Sequence, residues 1–305
     1  MGILKDLYIK YGVGAATAGA YNANRYQLFE QKAEWLRYFT LNSITSGVTD
    51  DRVCAEEIVV TLTTYGRRLY DVYLAIESIM QGSLKPNRII LWLDEGLKEA
   101  TLPITLQKQM KRGLQIEFTE DIRSYKKLIP TLMKYPDAIC VTIDDDLIYC
   151  FDLLENLINA YQKEPQYVHA NRVHTVKLYE NGSLKPYNSW GFCKGVEFPC
   201  KFNFATGCGG VVYPPHCFDK EVMNKNAFMT LAPRADDVWF YAMALLNGYV
   251  VKKSFTRNEA GEEYILNENV QDEALSHTNV ASGGNDAQIK AVFERYGICD
   301  ILKEK

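Results

Sequence analysis

Basic charge is the first thing this chain does not accumulate. Lys and Arg number 34 against 38 Asp and Glu, a formal net charge of −4, so no general basic surface invites nucleic acid. An apolar run of about 18 residues is missing as well, which argues against a spanning helix. The opening MGILKDLYIKYGVGAATAGAYN has no convincing apolar stretch or cleavage site, so a secretory signal peptide is not expected. Asp6 stands where N-myristoylation asks for Ser or Thr. The 8 cysteines include no Cys-x-x-Cys pair, and the spacing of Cys193, Cys200, Cys208 and Cys217 fits no common zinc pattern. Reduced thiols in a cytoplasmic protein are the expectation. Internal repeats and low-complexity segments are missing too.

What is there is a chain of 305 residues, long enough for one large α/β domain with an appendage. Residues 1–55 read as an N-terminal helical extension, most regular in QLFEQKAEWLRYFTLN. Its Trp35, Leu36, Tyr38 and Phe39 suit packing on the main domain or, alternatively, contact with a membrane surface. From Glu57 strands alternate with helices. EIVVTLTTY, NRIILWLDE, LQIEFTED and AICVTIDDD read as strands. RRLYDVYLAIESIMQG, PITLQKQMKRG and SYKKLIPTLMKYP read as helices; the first sets Leu69, Val72, Tyr73, Ile76, Ile79 and Met80 on one face and stops at Gly82. This alternation predicts a mainly parallel sheet covered on both faces, with ligands beyond the carboxyl ends of its strands. The second half is more mixed, with strands in YVHANRVHTV, FNFATGCGGVVYPP and YVVKKSFTR and helices in RADDVWFYAMALLNG and NDAQIKAVFERYG.

Two acidic features stand out. In ICVTIDDDLIY an apolar strand ends in Asp144, Asp145 and Asp146. On extended backbone Asp144 and Asp146 point one way and Asp145 the other. Converging carboxylates raise one another's pKa unless a cation holds them, and their oxygens suit Mg²⁺ or Mn²⁺, which bridge to phosphates. A solvated turn is the alternative. Helix capping is not, because the next helix has its own start signal in Asp152 and Glu155. The second feature, Asp236–Asp237, opens a helix, where acids serve either as caps or as a general base.

Together these stretches resemble GT-A-fold glycosyltransferases. VTIDDD resembles their DxD motif, IVVTLTTYGRR their first strand, SYKKLIPTL a segment of related bacterial sugar transferases, FATGCGGVVYPP their Gly-rich loop, and PRADDVWFYAMA the acidic motif beside the sugar. The likeness covers roughly residues 57–255. It implies a GT-A, Rossmann-like α/β domain over residues 56–305, with a nucleotide-binding half (56–150) and an acceptor-side half (151–305). It further implies a metal-dependent glycosyltransferase of bacterial surface-polysaccharide synthesis. That enzyme would use a nucleotide-sugar (a UDP-sugar is expected) and a glycan or lipid-linked acceptor, with inversion, at the cytoplasmic face of the membrane.

The same resemblance assigns residues. Asp144 and Asp146 hold Mn²⁺ or Mg²⁺, with Asp144 also toward the ribose, and His277 returns as a third ligand or is a plain surface residue. Thr63, Thr64 and Tyr65 wrap base and ribose, and Arg67 or Arg68 pairs with phosphate, or both arginines are a solvated helical turn. Asp94, Asp145 and Lys127 add nucleotide contacts, whereas Lys126 reads equally as surface. Gly207, Gly209 and Gly210 admit close backbone approach to a sugar, or make a bulge. Asp237 is the base and Asp236 orients the acceptor or sugar, an order that could be reversed. Trp190 and Trp239 stack on sugars or belong to the core. Three rivals remain. A nucleotidyltransferase would carry a Gly-rich, Lys-containing loop after the first strand, where TTYGRRLYD has one glycine. A retaining transferase would need no base. An inactive glycan-binding member would not need its acids intact.

Overall fold

A computed structural model describes residues 14–98, 100–192, 198–258, 261–273 and 284–304. The β-branched run after Glu57 forms β1 (Ile58–Thr63), a buried strand near the middle of a seven-stranded sheet. β1 pairs in parallel with β2 (Arg88–Asp94) on one side and β4 (Ile139–Thr142) on the other, and β2 pairs in parallel with β3 (Leu114–Thr119). Beyond β4 the second half of the chain supplies β10 (Val211–Tyr213), β6 (Val168–Ala170) and β11 (Val251–Lys253); β10 runs antiparallel to both neighbours. The architecture is a mainly parallel, Rossmann-like α/β sheet with flanking helices.

Two segments expected as single strands are each broken. YVHANRVHTV divides at Asn171 and Arg172 into β6 and β7 (Val173–Thr175). There the chain leaves the large sheet, and β7 joins β8 (Gly191–Phe192) and β9 (Asn203–Ala205) in a small antiparallel one. FNFATGCGGVVYPP divides into β9 and β10 around a 3₁₀ turn, Gly207–Gly209, that ends with Gly210 at φ +85°. A two-stranded ribbon of β5 (Leu147–Tyr149) and β12 (Tyr264–Leu266) lies beside the large sheet.

The helices are α1 (Gly14–Asn42), α2 (Tyr73–Met80), α3 (Ile104–Met110), α4 (Ile129–Lys134), α5 (Leu153–Lys163), α6 (Lys225–Leu231), α7 (Asp236–Leu246), α8 (Gly284–Tyr296) and α9 (Ile298–Lys303). α1 buries Phe29, Ala33, Leu36 and Thr40, spaced to share one helical face, against α2 and α3. Of Trp35, Leu36, Tyr38 and Phe39 only Leu36 enters the core. Trp35 and Tyr38 stay exposed and Phe39 is half-buried, because they lie outside the arc defined by those four residues. Since α1 covers its outer side, α2 is buried all round, including Glu77. That carboxylate receives Thr40 Oγ1 (3.1 Å), Gln109 Nε2 (3.0 Å) and Arg112 (2.8 Å). Among the described residues no helix is long and apolar enough to cross a membrane.

The helix start signal expected at Asp152 is corrected here. Asp152 precedes α5 but its side chain makes no capping bond; it accepts from Thr256 Oγ1 (2.5 Å) and Asn156 Nδ2 (2.8 Å) instead. Trp239 is fully buried with its indole N–H on the Val222 carbonyl (3.1 Å), and Trp190 is buried against Phe204 (5.4 Å). Both belong to the core.

Candidate active site

The aspartate triplet does not sit on extended backbone. It forms a tight turn between β4 and β5, at the carboxyl end of β4. The three carboxylates are therefore divided otherwise than strand alternation predicts. Asp144 faces Lys127 Nζ (3.1 Å). Asp145 and Asp146 share Arg68, at 2.8 and 3.0 Å from its two terminal nitrogens. Thr64 Oγ1 donates to Asp145 (2.6 Å), and Gln271 Nε2 lies 3.4 Å from Asp146. Backbone bonds fix the turn itself: Asp144 N–H to the Tyr149 hydroxyl (2.8 Å), and Asn267 N–H to the Asp146 carbonyl (2.8 Å).

Of the two arginines, the buried one is Arg68. Arg67 is exposed and reaches the Asn269 carbonyl (3.3 Å), so it is Arg68 and not Arg67 that pairs with the acidic turn. The cause is the 3₁₀ turn Gly66–Tyr70, whose consecutive side chains diverge by a third of a turn. Tyr65 is half exposed, with the Arg68 guanidinium 5.5 Å from its ring centre. Thr63 Oγ1 donates to the Trp92 carbonyl (2.8 Å), and Asp94 accepts the Gly96 N–H (2.7 Å), capping a short 3₁₀ turn. These two side chains bond within the β1–β2 edge and do not join the acidic cluster.

Lys127 connects the two acidic features. Its Nζ lies 2.8 Å from Asp236, 3.1 Å from Asp144 and 3.8 Å from Asp237. Both aspartates open α7, and the preceding Ala235 makes no side-chain capping bond. Asp237 Oδ2 accepts the Gly207 N–H (3.0 Å). Asp236 is nearly closed off, its side chain 8% exposed, while Asp237 keeps 30% exposed. Lys126 turns away to Asp121 (2.7 Å).

Among the glycines, Gly207 is the one at the acids: a Cβ there would lie 2.8 Å from both Asp237 Oδ1 and Lys127 Nζ. At Gly209 and Gly210 a Cβ would meet the protein's own packing rather than the acids. A Cβ on Gly209 would collide with Arg172 (2.4 Å), and Gly210 holds a positive φ beside Leu153. Arg172 itself donates to Thr206 Oγ1 (3.1 Å) and Cys208 Sγ (3.3 Å) beside this loop. Nothing in its sequence context marked Arg172; the break between β6 and β7 puts it there.

Charge is unbalanced at this rim, with Asp144, Asp145, Asp146, Asp236 and Asp237 around Lys127 and Arg68. Burial pushes Asp145 up to about 6, Arg68 opposing and Asp146 adding to it. Burial likewise raises Asp146. Asp237 is pushed up to about 7, by burial first and then by Asp236 and Asp144, against the pull of Lys127. Burial disfavours the Lys127 charge, yet Asp144, Asp236 and Asp237 outweigh it and hold the ammonium well above its ordinary range. Among the described residues the five carboxyls outnumber these two cations, with the Arg172 guanidinium beside the adjoining loop.

In chemical type, though not in a preformed cage, the donors suit a hard divalent ion. Asp144 and Asp146 offer carboxylate oxygens, and Mg²⁺ is commonly held by one or two carboxylates with substrate phosphates completing its shell. Asp146 would then share its oxygens between the ion and Arg68. Among the described residues no group of three or more His, Cys, Asp or Glu side chains is placed to enclose a metal. His277 lies outside the described residues. The described cysteines are free thiols; Cys193 also lies outside the described residues.

No protein-family model and no curated protein matches the chain. Among solved structures the chain is similar to CMP:2-keto-3-deoxy-manno-octonic acid synthetase complexed with CTP. Identity is 12% over 67% of this chain and 90% of that one, with a TM-score of 0.37, a likeness too slight to bear on the site.

Proposed function

We propose that this chain is a metal-dependent glycosyltransferase of GT-A type. It would move a sugar from a nucleotide-sugar, expected to be a UDP-sugar, to a glycan or lipid-linked acceptor of a bacterial surface polysaccharide, with inversion. One observation carries the reading: the acids at the end of β4 and those opening α7 meet on a single lysine. A leaving diphosphate and an attacking hydroxyl need to be served from one place, and these two features would do so.

Asp144 and Asp146 hold the Mn²⁺ or Mg²⁺ ion; when bound, it supplies charge neutralisation for the departing nucleoside diphosphate. Thr63, Thr64 and Tyr65, with Asp94, line the approach for base and ribose. Asp145 acts through Arg68 and Thr64, whose bonds hold the turn in shape. Asp237 takes the proton from the acceptor hydroxyl as that oxygen attacks the anomeric carbon, and the bond from that carbon to the phosphate oxygen breaks. Between the two acids, Asp237 is favoured as base because it stays accessible while Asp236 is committed to Lys127. A carboxyl pushed up to about 7 is also well matched to proton transfer near neutrality.

The test is a panel of nucleotide-sugars scored for Mn²⁺-dependent thermal stabilisation and donor hydrolysis. Stabilisation that follows one nucleotide and disappears in Asp146→Ala supports the reading, and anomeric analysis of product separates inversion from retention. Indifference to every nucleotide and metal would overturn it.

A further inference from the structure

We propose that Lys127 is the positioning residue of this site, fixing the Asp237 carboxylate against Gly207 and joining it to Asp144. The inference rests on the glycosyltransferase reading but gives Lys127 a part different from direct contact with the diphosphate. Three observations support it.

First, the ammonium sits among three carboxylates. Lys127 Nζ donates to Asp144 (3.1 Å), is ion-paired with Asp236 at 2.8 Å and lies 3.8 Å from Asp237. Turning toward a phosphate would weaken those ion pairs.

Second, its backbone is anchored. The Lys127 carbonyl accepts Thr61 Oγ1 from the middle of β1 (2.6 Å), and that hydroxyl also bonds Thr131 (2.7 Å), which in turn receives Trp92 Nε1 (2.7 Å). Two residues before, Tyr125 is buried, stacked on Phe228 (4.1 Å) and bonded to the Ala232 carbonyl (2.7 Å) just ahead of α7. The lysine thus leaves from a point tied to both the sheet and the approach to α7.

Third, space has been cleared for it. A methyl on Gly207 would fall 2.8 Å from both Lys127 Nζ and Asp237 Oδ1, while the Gly207 N–H holds the other Asp237 oxygen. Lysine, glycine and base form one close-fitting unit. Two adjacent acids at a helix start repel each other; the ammonium takes Asp236 at close range and leaves Asp237 held but accessible.

The experiment compares the parent enzyme with Lys127→Met, Lys127→Ala and Gly207→Ala, using the donor found by the nucleotide-sugar panel. UDP with Mn²⁺ is the binding probe, followed by calorimetry. The expected result is a fall in kcat of about 100-fold in Lys127→Met, with UDP affinity and donor KM changed less than about threefold. Added ethylammonium restores turnover in Lys127→Ala. Gly207→Ala shows the same split if the lysine variants fold poorly. A fall in kcat matched by an equal loss of UDP affinity would return Lys127 to the diphosphate and overturn the proposal, as would turnover within threefold of the parent. A parent that transfers from no nucleotide-sugar sinks the functional reading separately. The crystal structure of Lys127→Met then decides: Asp237 displaced from the Gly207 N–H supports the positioning role, and Asp237 unmoved refutes it.

Discussion

The Arg68 guanidinium spans Asp145 and Asp146, 2.8 Å from one and 3.0 Å from the other, with all three side chains largely buried. The protein thus supplies its own counter-charge to the acidic turn. Removing one partner of such a group leaves a buried, uncompensated charge. Arg68→Met is expected to lower stability by about 3–5 kcal/mol, measured by urea denaturation at pH 8. The loss shrinks toward pH 5, because Asp145 is already pushed up to about 6 and a protonated carboxyl needs no counter-ion. Arg67→Met, on an exposed side chain, should stay within about 0.5 kcal/mol of the parent. Equal effects of the two substitutions would contradict the division of labour between these neighbours.

Metal dependence divides the triplet. Asp144→Asn and Asp146→Asn are each expected to weaken Mn²⁺-dependent binding of UDP at least tenfold, since each removes one of two hard oxygen donors. Chelation by EDTA should remove the nucleotide's thermal stabilisation in the parent and have a much smaller effect in both variants. Thermal-shift titration of UDP, with and without Mn²⁺, reads this directly.

Much of this arrangement was legible in the chain. The β-branched runs around β1, β2 and β4 and the acids at the strand end follow from patterns of period two and 3.6. What was not legible depended on turns. Whether Arg67 or Arg68 faces inward is decided by a 3₁₀ turn that no periodicity announces. The split of YVHANRVHTV, which brings Arg172 beside the Gly207–Gly209 loop, arises from which sheet each piece joins. The joint attachment of Asp144, Asp236 and Asp237 to Lys127 is a long-range contact, and spacing along the chain carries no information about it. Trp239 reads more readily as core than as sugar platform, and its burial decides for the core.

The base should show itself in two pH profiles of opposite sense. Transfer is expected to rise with pH and level off above about 7, because Asp237 must be ionised to accept the proton and its pKa is pushed up to about 7. Asp237→Asn should lower kcat by about 10²–10⁴-fold. The same raised pKa makes the ionised carboxyl a burden on the fold. The unfolded chain ionises near the ordinary carboxylate value, so this burden is absent below about pH 4 and complete only above about pH 7. Asp237→Asn should therefore melt a few degrees higher than the parent at pH 8, about 1 kcal/mol after allowing for its partial exposure. That gain should vanish at pH 4. A variant that is inactive but no more stable at pH 8 would mean that Asp237 is not raised.

The clip beneath α1 offers a test independent of any substrate. Glu77 is fully buried and receives both oxygens' worth of bonding from Arg112, with Gln109 and Thr40 adding to it. Arg112→Met leaves the carboxylate without its cation and is expected to cost about 3–5 kcal/mol. Thr40→Val removes only one donor of several and should cost about 1 kcal/mol. Replacing the pair together, as Glu77→Leu with Arg112→Leu, should restore most of the loss, because desolvation of two charges offsets much of their attraction in the parent. A double-mutant cycle in urea measures the coupling. If the double variant is as unstable as Arg112→Met alone, the network is holding α1 through packing and not through charge. Hydrogen exchange would then show the Phe29–Thr40 face of α1 protected equally in every variant. The charge-based account predicts instead that Arg112→Met exposes that face first, since Thr40 and Arg112 reach the same carboxylate from α1 and from just after α3.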